Sequence, residues 1–315
     1  MLKSLYSGVS GMRAQQTKMD VIANNIANVS TTGFKSGRVR FEDMISQINT
    51  SAQGASNNRG GVNVQQIGMG VQVSGTDTIM TSGTLQATGR TLDFGIQNGE
   101  NSFFMVRSAR EDGDGTIQYT RDGGFFRDNE GGLVTATGMR VLGSDGNAPN
   151  LISDDNTNEI TIANETEDLK PLVITEKFFV DGDTMRPATA DDNPANVISL
   201  ESYSVDDSGM IIGSYSDGNS YQLGRIALTS FNNPDGLEKQ GGNLYNGTAN
   251  SGTPILGSPG EEGFGMVRSG FLEMSNVDLA NEFTDMIVTS RAYQANSRAI
   301  TTSDEMLQEL LNLKR

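Results

Sequence analysis

The sequence predicts a mainly β protein with terminal α-helices: the N- and C-terminal helices pair as a coiled-coil-like stalk, and nested all-β domains reach outward between them. Three observations lead there. A heptad seam, apolar but for Gln16, runs without a slip over residues 2–26, a second and wetter heptad runs through residues 276–315, and between about 62 and 274 the apolar runs shorten to β spacing.

In the first segment Leu2, Val9, Gln16 and Ala23 occupy one heptad position, and Leu5, Met12, Met19 and Ile26 the other, with steps of three and four that never slip. A helix from Lys3 to Asn28 would be about 39 Å long. So narrow a seam points to a slender helix–helix contact. The last segment opens on Ser275 and Asn276 as cap candidates. Leu279, Phe283, Met286, Tyr293, Ile300, Leu307 and Leu311 then fall on heptad steps, with Ser290, Ser297 and Asp304 filling the rest. Asp278, Glu282 and Asp285 near its start, and Lys314 and Arg315 at its end, match the helix dipole. Residues 1–41 carry a net +5 and residues 276–315 a net −2, which suits pairing of the two ends and leaves −19 on 42–275.

The middle reads as hairpins: "VQVSG", "LDFGIQNG", "SFFMVRS", "IQYTRDGGFF" and "GLVTATGMRVLG" are strand-like runs punctuated by turn residues. Four regions follow. Residues 1–30 and 276–315 form a helical domain, and 31–70, with its polar "EDMISQINTSAQGASNNRGG", a linker or extended segment. Residues 71–143 and 221–275 form an inner β domain, and the acidic, Asp/Asn-rich 144–220 a separate, outward-facing β insertion. Because the helices come from opposite ends of the chain, the termini are expected side by side. A heptad seam leaves apolar surface that one helix pair does not hide, so a polymer of many copies is the natural consequence.

Composition excludes several function classes. A net charge of −16 argues against nucleic acid and anionic membrane as partners. With no Cys and no His, disulfides, thiolate metal sites and the commonest acid–base catalyst are all missing. No apolar run approaches the ~20 residues of a membrane span, and the N-terminus lacks the charged and apolar regions of a cleavable secretory signal. Local motifs add no chemistry. "EDGDGT" at 111–116 lacks the later ligand and the glycine of a calcium loop and reads as a turn. Thr32 and Lys35 in "TTGFK" are a loose nucleophile–lysine spacing without support. The Asp pairs at 154–155, 191–192 and 206–207 read as solvated turns, and "GMGVQVSG" at 68–75 has no helix after it to cradle a phosphate. No catalytic, cofactor-binding or metal-binding residue is expected, and no enzyme.

Both ends carry a family resemblance. "SGVSGMRAQQTKMDVIANNIANVSTTGFK" (7–35) resembles the N-terminal signature of the flagellar rod and hook axial proteins, and "SGFLEMSNVDLANEFTDMIVTSRAYQANSRAITTSDEMLQELLNLKR" (269–315) their C-terminal one. Residues 88–106, 119–143 and 231–254 are similar in pieces and in the family's order, although "GIQNGENSFF" departs from the usual "GDGFF". Residues 144–220 show no such likeness, and in this family variable outer domains are inserted there. The tail and the acidic stretch fit a hook-type member better than a distal-rod-type one.

The resemblance implies a homopolymer exported through the flagellar type III apparatus without a cleavable signal peptide, in the extracellular flagellum. It implies the distal rod, hook cap and hook–filament junction protein as neighbours, no nucleic acid, no membrane insertion and no cofactor. The terminal helices would line an inner tube. The assembly interface would then use Leu2, Leu5, Val9, Met12, Met19, Ile26, Leu279, Phe283, Met286, Tyr293, Ile300, Leu307 and Leu311. In that tube Asn24, Asn25 and Asn28 of "NNIANVSTTGFK" are expected to bond neighbouring subunits and fix register, as a buried Asn does in a coiled coil. Thr31, Thr32 and Gly33 would stop the helix and turn the chain outward. A secreted binding module with its ligand site on 144–220 is the alternative from a different class.

Overall fold

The computed structural model describes residues 2–55, 60–108, 115–151, 169–181, 184–187 and 196–313, and the chain divides into two units. Unit 1 comprises residues 1–29, 36–79 and 277–315; unit 2 comprises 30–35 and 80–276.

Unit 1 is built on helices α1 (Leu2–Ala27) and α2 (Leu279–Leu313). At 1.5 Å per residue α2 is about 52 Å long. The last turn of α1 tightens, the Asn28 amide donating to both Asn24 O and Asn25 O at 3.2 Å. At the start of α2 the cap is Asp278 and not Ser275 or Asn276: its Oδ1 accepts the Ala280 amide at 2.9 Å, and its carbonyl accepts the Glu282 amide at 3.0 Å. Neither helix is long and apolar enough to cross a membrane.

The segment expected to be a linker, 31–70, carries three strands, β1 (Gly37–Asp43), β2 (Ser46–Thr50) and β3 (Gln65–Gly68); β4 (Val71–Thr78), the strand-like run "VQVSG" expected in the inner β domain, belongs with them in unit 1. β1 pairs antiparallel with β4, Gly37 opposite Thr78 and Asp43 opposite Val71, with a bulge at Arg40/Phe41. β2 pairs with β3 from Ser46 opposite Gly68. Residues 36–79 therefore form an arm within the helical unit. Backbone ladders hold these pairs whatever the side chains, so the polar residues 42–61 concealed β2.

Unit 2 opens with β5 (Leu85–Ala87), β6 (Phe94–Gln97), β7 (Ser102–Arg107) and β8 (Ile117–Thr120). β7 pairs with β8, with the strand Arg140–Leu151 and with Leu228–Ser230, at the centre of the largest sheet. Both faces of β7 are buried. Phe104 and Val106 join one core with Phe94, Phe125, Leu133 and Leu228, while Phe103 and Met105 join a second with Tyr119, Phe231 and Tyr245. Side chains alternate across a strand, so a continuous apolar run such as "SFFMV" feeds a core on each side. Edge-on ring contacts lock the packing, Phe104 to Phe125 at 5.4 Å and Tyr119 to Phe231 at 4.8 Å.

The acidic stretch 144–220 is not a separately packed insertion in its described part. The strands Met210–Tyr215 and Ser220–Ile226 continue the sheet from Arg140–Leu151, and Leu172, Ile174, Ile211 and Tyr215 enter the same core as Phe94 and Phe104. Asp206 sits in a hairpin turn, as expected: its carbonyl accepts the Gly209 amide at 2.8 Å. The Asp pairs 154–155 and 191–192, and most of "EDGDGT", lie outside the described residues.

Candidate assembly surface

α1 and α2 pack antiparallel. A Cβ on Gly8 would lie 3.0 Å from Ile300 Cγ1, and one on Gly11 would lie 2.7 Å from the Asn296 side-chain nitrogen. Farther along, Lys18 Nζ meets Asp285 Oδ2 at 3.3 Å and Asn25 reaches Glu282. The buried residues of α1 are Gly8, Gly11, Ala14, Ile22 and Asn25. The contact face therefore follows 8/15/22 and 11/18/25, one residue away from the expected 9/16/23 and 12/19/26. One residue is about 100° of helix rotation. Gly8 and Gly11 at the contact let the backbones approach, and that closeness selects the face over the bulkier apolar seam.

The expected seam is thereby left partly open. Leu5, Val9, Met12, Met19 and Ile26 are half-buried, and Leu2 lies in α1 with its side chain outside the described set. On α2 the row of Met286, Tyr293, Ile300 and Leu307 does border α1, with Tyr293 the most exposed of the four. Its companion row is Glu282, Thr289, Asn296 and Ser303, not the expected 283/290/297/304. Leu279, Phe283 and Leu311 are exposed, as are Ile287, Val288, Met306, Leu310 and Leu313, which the heptad reading did not single out. Among the described residues, an apolar set this large on two helices is a surface without cover.

Asn25 differs from its expected role. It is buried, and all its polar atoms are used within the chain: the amide donates to Gly37 O and to Glu282 Oε1, both at 2.9 Å, and Oδ1 accepts the Gly37 amide at 2.9 Å. A side-chain amide that mirrors a peptide group in this way pins the start of β1 to α1, so it is not free to bond a neighbour. Burial pushes the Glu282 carboxyl up, opposed by the Asn25 hydrogen bond. Asn24 is exposed, and half-buried Asn28 donates its side-chain amide to Asn24 O at 3.0 Å.

Within unit 2, Lys35 and Thr32 do not form a nucleophile pair. Thr32 Oγ1 donates to Asp122 Oδ1 at 3.0 Å, whereas Lys35 Nζ lies 2.6 Å from Glu273 Oε1 and 2.8 Å from Thr81 O. Arg121 Nη1 holds the other carboxylate oxygen at 3.0 Å, and Glu273 Oε1 also accepts the Gly83 amide at 2.9 Å. All three charged side chains are fully buried. Burial, then the neighbouring Arg121 charge, pulls the Lys35 ammonium down from its ordinary range, while Glu273 opposes the shift. Gly33 makes this packing possible: at φ 66° its Cβ position lies 2.7 Å from Asp122 N, so a side chain would be both strained and blocked. No sequence signal marks this triad, whose members stand 86 and 152 residues apart.

Three family models match the chain. "Flagella basal body rod protein" covers residues 5–35, "Flagellar hook protein FlgE/F/G D1 domain" residues 98–175, and "Flagellar basal body rod FlgEFG protein C-terminal" residues 268–313. The flagellar basal-body rod protein FlgG of Bacillus subtilis (strain 168) is 42% identical over 316 residues, and FlgG of Borreliella burgdorferi 37% over 318, each covering 100% of both chains. The flagellar hook protein FlgE of Borreliella burgdorferi is 32% identical over 450 aligned positions, again covering 100% of both chains. The chain belongs to the family of bacterial flagellar rod and hook proteins.

Proposed function

We propose that the chain is the structural subunit of the flagellar hook, polymerising through its terminal helices into a curved tube that passes torque from rod to filament. The observation that carries the polymer is the exposed apolar surface of α2, from Leu279 and Phe283 to Leu311 and Leu313, which its own chain leaves bare. Copies of the chain supply the missing cover. The hook reading rests on the C-terminal tail and on the charge of residues 144–220, where sixteen Asp/Glu face three Lys/Arg. Polar contacts at the rim of an interface contribute little individually, so such acidic regions would let neighbouring subunits slide between near-equal arrangements as a bending joint requires.

A distal rod subunit is the second reading, favoured by the 42% identity to a rod protein of matching length, while the 32% identical hook protein aligns over 450 positions. Electron microscopy of the polymer separates them. A curved tube is the hook result; a straight, rigid tube assigns the chain to the rod. A chain lacking residues 2–27 should stay folded in unit 2 and fail to polymerise, and normal polymers from it would overturn the helical-assembly reading altogether.

A further inference from the structure

Unit 1 contains a groove and a projecting helix end that complement each other, and within one chain neither fills the other. The groove, about 490 Å³, runs between the middle of α1 and the β3–β4 end of the arm. Tyr6, Val9, Met44, Met69 and Val71 give it apolar walls, and Arg13 is the one formal charge on its lining. Arg13 is exposed and has no carboxylate within ion-pair distance among the described residues.

The helix end is the last stretch of α2. With Gly8 opposite Ile300 and Gly11 opposite Asn296, Leu2 comes level with residue 306. The turns from 307 to 313 therefore run past the start of α1. Met306, Leu310 and Leu313 follow one another at helical spacing and are 53%, 50% and 83% exposed. Glu305 and Glu309, also exposed, share those turns. The end thus offers an apolar edge with carboxylates beside it, and the groove an apolar channel with a guanidinium on its lining.

We propose that the groove receives the last two turns of α2 from a second copy of this chain, Met306, Leu310 and Leu313 seating against Val9, Met69 and Val71 with Glu309 facing Arg13. The exposure of those three side chains rules out their own chain's groove as the seat. Groove and helix end are different surfaces of one molecule, so the contact is heterologous, and with a rotation that does not close a ring it repeats copy after copy. The proposal rests on the polymer reading above and names the contact that would propagate it.

The chain has no cysteine, so introduced ones report without background. A full-length chain carrying Gln72→Cys at the groove and Leu313→Cys at the helix end is oxidised under polymerising conditions and run beside each single variant, with circular dichroism confirming the fold and microscopy scoring polymers. A covalent ladder extending past the dimer, given only by the double variant, is the expected result. Polymers that yield no product beyond the dimer, or a cross-link confined to the monomer, overturn the docking and leave the polymer reading standing. A chain that folds and never polymerises overturns both. Charge exchange gives an independent readout: Arg13→Glu and Glu309→Arg should each lower polymer yield, and the double exchange should recover it. A double exchange no better than either single variant contradicts the Arg13–Glu309 contact.

Discussion

The two units solve the burial problem differently. Unit 2 buries β7 on both faces and ties off even its charges, with Lys35, Arg121 and Glu273 paired out of reach of water. Unit 1 puts 26 and 35 residues into two helices, and among their described residues few side chains are buried outright: Ala14, Ile22, Asn25, Thr289 and Ser303. Its arm likewise leaves Ile45, Ile48 and Ile67 exposed. The difference teaches that unit 2 closes its own core, whereas unit 1 leaves apolar side chains bare; in the polymer proposed above its stability would grow with partner concentration.

The contrast is broken most severely from inside unit 2. Glu273→Gln removes the carboxylate paired with two buried cations and should cost roughly 3–5 kcal/mol in chemical denaturation; a loss under 1 kcal/mol would mean that the triad is hydrated and contributes little. A pH titration probes the same core. Burial raises the Tyr245 hydroxyl from 10.0 to about 12, so the folded state holds a proton that the unfolded state gives up. That stability is complete below pH 10 and drains away between pH 10 and 12. Tyr245→Phe should move the alkaline unfolding midpoint upward, and an unchanged midpoint would show that Tyr245 does not control it.

Smaller effects are expected in unit 1. Asn25→Ala deletes three hydrogen bonds and leaves the Gly37 peptide unpaired, about 1–3 kcal/mol, seen as faster amide exchange in β1 with no change in β7. Lys18→Ala removes a partly exposed ion pair with Asp285 and should change stability by less than about 1 kcal/mol. A larger loss would mean that the helix pair is held by charge more than by its close glycine contact.

Much of this architecture was legible in the sequence. Both helices fall within two or three residues of where the heptads place them, because proline-free apolar periodicity over that length has few other solutions. The runs "SFFMVRS" and "IQYT" mark β7 and β8 for the same reason. What escaped is non-local. Heptads report which residues are apolar, whereas the contact face was chosen by Gly8 and Gly11, whose value is the absence of a side chain. The polar stretch 42–61 hides β2 because its pairing with β3 is carried by backbone. The Lys35–Arg121–Glu273 triad and the Asn25–Gly37 clasp depend on partners that only the fold brings together.

Hydrogen exchange on the full-length chain, before and after polymerisation, tests the central claim most directly. If unit 1 is an unfinished interface, amides of residues 279–313 exchange much faster than those of β7 and β8 in the unassembled chain, and gain protection on assembly while β7 and β8 stay unchanged. Protection in α2 that already matches β7 in the unassembled chain, and does not rise on assembly, would contradict the account.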